Sequence, residues 1–274
     1  MKRKGKYIGV FDSGFGGLDI LREIFKELPQ YNYIYLGDTA RTPYGSRSQE
    51  VIYEFTVQAV RFLFKKDCEL IIIACNTSSS EALRKIQRHY LPKKYPKKRV
   101  LGVIIPAAEK AVELTCNNRI GVIGTESTIV SSTFSREIKK LNPKVKVFAK
   151  ACPLLVPLVE AGEERSRATN LILKNYLAPL IRKKIDTLVL GCTHYGLLKN
   201  KIKRITGKRI KIISEGKILA TKLKDYLRRH PEIEKKLGTK RKTMFLTTDL
   251  TGKFKILGSK LYGKKIFPAR VELI

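Results

Sequence analysis

Twice in this chain an uninterrupted aliphatic run ends abruptly in a cysteine and a polar turn. The two segments are Leu70-Ile71-Ile72-Ile73-Ala74-Cys75-Asn76-Thr77 and Leu188-Val189-Leu190-Gly191-Cys192-Thr193-His194. A strand that is apolar on both faces belongs in a sheet covered on both sides, so each run reads as a buried strand of a parallel sheet. Well before each of them a strand with a Gly-Val centre leads into a small, polar loop: Ile8-Gly9-Val10 before the first and Ile120-Gly121-Val122-Ile123 before the second. The chain therefore states one pattern twice, on either side of the basic, proline-containing stretch 92–99.

Further short β-branched runs surround these, giving expected strands at 7–11, 33–36, 70–74, 100–105, 119–123, 145–149, 187–190, 210–213 and 244–247. Amphipathic stretches separate most of them, such as 49–64, where Val51, Ile52, Phe55, Ala59, Val60, Phe62 and Leu63 form an apolar stripe. This alternation is the rhythm of β-α units. The expected fold class is α/β, with two similar lobes, each a mostly parallel sheet flanked by helices. Lobe A is expected to comprise 1–98 plus a returning segment 208–274, and carries Asp12 and Cys75. Lobe B comprises 99–207 and carries Glu160 and Cys192. Ligands of open α/β sheets bind outside the carboxyl ends of strands, so facing lobes would bring both cysteines into one interdomain cleft.

Composition narrows the function. The leading segment is basic, but the apolar run at 7–11 is too short for a signal-peptide core and those at 70–75 and 100–108 are too short to span a membrane. A cytoplasmic protein without membrane attachment is expected. The five cysteines, Cys68, Cys75, Cys116, Cys152 and Cys192, form no C-x-x-C pair, which argues for reduced thiols over a disulfide framework, a zinc ribbon or a dithiol redox motif. The three histidines, His89, His194 and His230, have no metal-ligand spacing to one another, so no metal is expected. A net charge of +32 raises nucleic-acid binding. The basic residues, however, are scattered through 93–94, 97–99, 182–184, 199–204 and 235–242 without any recognition-helix, finger or RNP signature. A solvated basic surface is the favoured reading, and its field draws in small anions.

The two cysteines stand where a strand gives way to a helix, and the free amides and dipole of a helix start stabilise a thiolate. A lone cysteine is more often a small buried hydrophobe; the matched pair favours chemistry. Asp12-Ser13-Gly14-Phe15-Gly16-Gly17 offers amides and hydroxyls suited to an anion, and lacks the G-x-G-x-x-G spacing of a dinucleotide site. Arg41-Thr42-Pro43-Tyr44-Gly45 reads as a turn. Cys152-Pro153-Leu154-Leu155-Val156-Pro157-Leu158-Val159-Glu160 delivers one carboxylate at the end of an apolar stretch, either a surface acid or a cleft acid.

In this order the motifs resemble the glutamate racemases of the aspartate/glutamate racemase superfamily, from residue 8 to about 262. The matching stretches are Phe11-Asp12-Ser13-Gly14-Phe15-Gly16-Gly17-Leu18, Pro43-Tyr44-Gly45, Ala74-Cys75-Asn76-Thr77, Cys152-Pro153 through Glu160-Ala161-Gly162, and Leu190-Gly191-Cys192-Thr193-His194-Tyr195. The resemblance implies a cofactor-independent racemase that supplies D-glutamate for peptidoglycan, with Cys75 and Cys192 as the acid/base pair, assisted by Asp12, Glu160 and His194. It implies that Asp12, Ser13, Tyr44, Gly45, Asn76, Thr77, Thr193 and His194 bind the substrate, that Cys75 exchanges a proton with D-glutamate and Cys192 with L-glutamate, and that the chain forms a homodimer. The sequence departs from the family at Gly196, where proline is usual, and at Ser214-Glu215-Gly216, where an Asp-rich turn is common. The first is expected to loosen the helix start behind Cys192; the second is expected to lie away from the chemistry. Competing readings are an aspartate or hydantoin racemase, a basic nucleic-acid-binding protein, a metal hydrolase, and a pyridoxal-phosphate enzyme, in which the paired cysteines would have no purpose.

Overall fold

The computed structural model describes residues 5–273, so the first four residues of the basic leading segment lie outside the described residues. Its first sheet contains β1 (Tyr7–Asp12), β2 (Tyr33–Gly37), β3 (Cys68–Ile73) and β4 (Arg99–Gly102). The second contains β5 (Arg119–Gly124), β6 (Lys146–Ala151), β7 (Thr187–Gly191) and β8 (Lys211–Ile213). The chain then returns to the first sheet with β9 (Thr243–Thr247) and β10 (Pro268–Arg270). The orders are β10-β9-β2-β1-β3-β4 and β6-β5-β7-β8. All neighbouring strands are parallel.

β2, β3 and β7 are buried along their whole length, as continuous apolar runs require when helices cover both faces of a parallel sheet. One apolar cluster joins a face of the first sheet, through Val10 and Ile72, to the second sheet, through Val122 and Val189. Phe11, Ile34, Ile52 and Ile71 belong to a separate cluster on the first sheet. Full burial of each such side chain stabilises the fold by about 1.5–3 kcal/mol.

Every expected strand is present, with differences at the ends. The run 100–105 stops being strand at Gly102, and the helix Ile104–Leu114 takes over, burying Ile104, Ala107, Ala108 and Ala111 on one face. An apolar run continuous across a strand-helix junction carries no period that marks the change. β10, short, largely exposed and headed by proline, has no alternation by which to be found. The stripe at 49–64 is the helix Gln49–Lys65, capped by Ser48, which accepts from the Val51 N–H.

The strand pairing also bears on the lobe boundaries expected at 98/99 and 207/208. β4 pairs with β3 in the first sheet, and β8 pairs with β7 in the second. The proline-containing stretch, helical at Leu91–Lys94 and a turn beyond it, thus lies between two paired strands of the first sheet, which composition alone does not distinguish from a linker. Both sheets reverse their winding at an inner strand: β2 and β3 flank β1, and β6 and β7 flank β5. Such reversals open a crevice at the strands' carboxyl ends. The crevices fall beside Asp12 and Cys75 in the first sheet and beside Gly124 and Cys192 in the second.

Candidate active site

The loop after β1 wraps its own aspartate. Asp12 is fully buried; its Oδ1 accepts from the Gly14 N–H at 3.0 Å and its Oδ2 from the Thr193 hydroxyl at 3.2 Å. Gly17 is needed here for close approach, since a Cβ would stand 2.7 Å from Asp12 Cβ and 3.0 Å from Ala74 Cβ. Burial raises the Asp12 carboxyl, opposed by His194 and the Gly14 and Gly17 amides.

Cys75 caps the helix Asn76–Glu81: its Sγ accepts from the Ser78 N–H at 3.5 Å and lies 3.4 Å from Ser13 Oγ. Burial pushes this thiol up and the charge of Asp12 adds to it, while Ser13 and Ser78 pull it down. Cys192 precedes a 3₁₀ helix, Thr193–Leu198, with no side-chain cap, so the departure at Gly196 lies in a 3₁₀ segment in place of an α-helical first turn. Its Sγ stands 3.9 Å from His194 Nδ1, and burial pushes it well above the ordinary thiol range, partly offset by the His194 N–H. The charges of Cys75, Asp12 and Glu215 act in the same direction as burial. Burial thus favours the neutral form of both thiols.

The two sulfurs line one cavity of about 20 Å³. Of the residues anticipated from sequence, Ser13, Tyr44, Gly45, Asn76, Thr77, Thr193 and His194 share its wall with Cys75 and Cys192. Asp12 and Glu160 stand behind that wall. Glu160 Oε1 lies 3.1 Å from His194 Nε2, so a carboxylate, an imidazole and a thiol form one line: Glu160, His194, Cys192. Phe15 packs edge-on against the imidazole with centroids 5.0 Å apart. Tyr44 donates its hydroxyl to buried Asp38, which also receives Arg41 at 2.7 Å and the Thr248 hydroxyl at 2.8 Å. A cavity of this size holds about one water molecule.

Thr42, Pro43, Thr125 and Val156 complete the wall and were not among the anticipated site residues. Thr125 was within reach: it follows β5 as the loop beginning at Ser13 follows β1, one step further along the repeat. Its hydroxyl meets those of Thr77 and Thr128, each at 2.9 Å, and the Ser127 N–H donates to Gly45 O at 3.1 Å, so the cleft is bridged by hydroxyls and backbone. Glu215 overturns the expectation that its turn lies away from the chemistry. It accepts a hydrogen bond from Asn76 Nδ2 at 2.9 Å, directly behind the cavity wall, because the helix it opens packs tightly along Gly17–Glu27. Among the described residues no group of three or more His, Cys, Asp or Glu side chains is arranged to hold a metal ion, and no helix is long and apolar enough to cross a membrane.

The sequence profile of the Asp/Glu/Hydantoin racemase family matches residues 8–223. A glutamate racemase of Geobacter metallireducens is 40% identical over 262 residues, covering 95% of this chain and 94% of the relative. Two solved structures superpose closely. A glutamate racemase isoform from Bacillus anthracis has a TM-score of 0.90 at 36% identity, covering 99% of both chains. The enzyme from Francisella tularensis, solved in complex with D-glutamate, has a TM-score of 0.88 at 34% identity, covering 98% of both chains.

Proposed function

The chain belongs to the Asp/Glu/Hydantoin racemase family, and from that premise we propose that it interconverts L- and D-glutamate by proton transfer between Cys75, Cys192 and the α-carbon. The observation that carries this reading is the convergence of two buried cysteines, one from each sheet's switch point, on one cavity.

Inverting an α-carbon requires a base on one face and an acid on the other. The α-ammonium of the substrate supplies the cation that allows one buried thiol to ionise. Starting from D-glutamate, the Cys75 thiolate takes the α-proton, and the C–H electron pair moves onto the α-carbon and its carboxylate. The Cys192 thiol then delivers its proton to the opposite face, leaving L-glutamate, a Cys75 thiol and a Cys192 thiolate. The reverse reaction, or proton exchange through His194, restores the starting state. Donors from Ser13, Asn76, Thr77 and Thr193 stabilise the charge that develops on the carboxylate, the larger share of catalysis in such sites. Asp12 holds Thr193 in place, and Glu160 supports the imidazolium of His194. No step in this scheme calls on a cofactor.

The reading extends to a homodimer working in the cytoplasm, with D-glutamate feeding peptidoglycan synthesis. The lobe division that goes with it follows 1–98 plus 208–274 against 99–207, with the two boundaries moved past β4 and past β8 so that each strand stays in the sheet it pairs with. The basic surface attracts an anionic substrate.

The deciding experiment is proton NMR of L-glutamate with the reduced protein in D2O, paired with a chiral assay and an L-aspartate control. Loss of the α-proton signal together with appearance of D-glutamate is expected. Absence of exchange in folded protein, or faster turnover of aspartate, overturns the substrate assignment.

A further inference from the structure

Glu215 opens the helix Glu215–Arg229 and is 5% exposed. Its Oε2 accepts from Asn76 Nδ2 at 2.9 Å, while its Oε1 and Asn76 Oδ1 are both buried without a protein partner. Asn76 lines the thiol cavity and Glu215 does not, so the carboxamide stands between the carboxyl group and the reacting centre. Half a turn of a carboxamide exchanges its N–H₂ and its oxygen with almost no change of shape. A neutral Glu215 has one O–H to give, and its best acceptor is Asn76 Oδ1, which leaves the N–H₂ for the cavity. An ionised Glu215 keeps the N–H₂ for itself.

We infer that Glu215 is a positioning residue that fixes, through its bond to Asn76, which end of that carboxamide meets the substrate; the inference rests on the racemase reading of the cavity.

The charged and titratable groups around Glu215 come from four directions. Asp12 at the end of β1 and Cys192 after β7 lie close enough to interact with its charge. On the helix packed alongside, Arg22 is paired with Asp19 and Glu23, and on Ile104–Leu114, Glu109 is paired with Lys222 at 2.6 Å. Burial, with Asp12 adding to it, pushes the Glu215 carboxyl up to about 8 against the hydrogen bond from Asn76. With the carboxyl at about 8 the neutral form predominates at pH 7, and it turns the carboxamide from the orientation in the structure, where Nδ2 donates to Oε2, so that a donor faces the substrate carboxylates. Above pH 8 the acceptor turns inward and a second buried negative charge appears beside an anionic ligand.

The neutral fraction of a group with a midpoint near 8 falls about tenfold between pH 7 and pH 9, so KM for glutamate is expected to rise about tenfold over that interval, with a smaller change in kcat. Glu215→Gln keeps the shape, cannot ionise, and donates to Asn76 Oδ1 at every pH. The test is kcat and KM for both enantiomers across this range, in the parent and in E215Q. Titration of the substrate ammonium is common to both proteins, whereas the charge that Glu215 places near Cys192 is removed with the substitution, so the KM step, read apart from kcat, is the quantity that reports the carboxamide. Loss of the KM step in E215Q supports the inference, and the same step in both proteins overturns it. A folded parent that does not racemise overturns the racemase reading and this inference with it. Should E215Q not fold, infrared spectra of the parent decide: a neutral carboxylic-acid band that shifts on ¹³C-labelling of glutamate residues and vanishes as the pH passes about 8 is expected, and its absence at pH 7 overturns the inference.

Discussion

Replacing Glu160 with glutamine tests the line that joins Glu160 to Cys192 through His194. The carboxylate lies 3.1 Å from Nε2 of an imidazole whose side chain is 4% exposed, while the Glu160 side chain is 25% exposed. In the proposed mechanism Cys192 passes a proton through His194, positive charge develops on the ring, and Glu160 faces it. A hydrogen bond to a charged group contributes about 1.5–3 kcal/mol. Partial exposure of Glu160 reduces this to about 1–2 kcal/mol, because water screens the side that faces solvent. Glutamine retains an acceptor and loses only the charge, so Glu160→Gln should lower kcat/KM about 5- to 30-fold, at about 1.4 kcal/mol for each factor of ten. The two enantiomers are equal in energy in water, so kcat/KM must remain the same in the L-to-D and D-to-L directions in any variant. Chiral assays run from both sides thus contain their own control. A kcat/KM within twofold of the parent, at unchanged Tm, would show that Glu160 does not act on the transition state and that the contact only orders the loop.

The remaining expectations concern the thiols and the fold. Cys75→Ala and Cys192→Ala should each lower kcat/KM by at least about 10²-fold while circular dichroism stays unchanged, since acid/base groups contribute about 10²–10⁴-fold and neither thiol has a substitute; near-normal turnover in either variant removes that cysteine from the mechanism. Glu69, 1% exposed and bonded to Lys6, Lys98 and Lys236, has its carboxyl lowered from 4.5 to about 2. Its folded value is depressed, so its contribution to stability is complete above pH 4.5 and is lost as the pH falls through about 2. Denaturant titrations should find about 2 kcal/mol of such acid sensitivity in the parent, after screening at the half-exposed lysines, and less in Glu69→Gln. Ile71→Ala, in the middle of β3, should cost about 2–5 kcal/mol of unfolding free energy, and a loss under 1 kcal/mol would contradict the packing described for that sheet.

What the sequence disclosed of this fold and what it withheld differ in physical kind. β3 and β7 were legible because burial on both faces of a parallel sheet leaves an unbroken apolar run, and the cysteines were legible because they end those runs. Local events of this sort write themselves into neighbouring residues. The boundary of β4, the existence of β10 and the placement of Glu215 are settled by which distant segment each meets. Glu215 and Asn76 are 139 positions apart and come together only because one helix docks on another. The same reason explains why Glu160 could be read equally as a surface or a cleft acid until His194 was found beside it.

The repeat in the sequence suggests two equivalent thiols, and the structure surrounds them differently. Cys75 is approached by a helix amide and a serine hydroxyl, Cys192 by an imidazole backed by a carboxylate. A symmetric reaction does not demand symmetric catalysts. Because the two enantiomers are isoenergetic, the enzyme needs only that each thiol can hold the proton while the other releases it, and any difference between them must appear in kcat and KM separately, never in their ratio. In the proposed mechanism unequal surroundings leave the equilibrium untouched and are expected to appear as a difference in how tightly the two enantiomers are bound. If the imidazole is the main difference between the two sites, His194→Asn should bring the L- and D-directions closer in KM as well as in kcat; KM values that stay as far apart as in the parent would place the origin of the asymmetry elsewhere, in the Ser13 and Ser78 contacts of Cys75 or beyond the thiols' own neighbours.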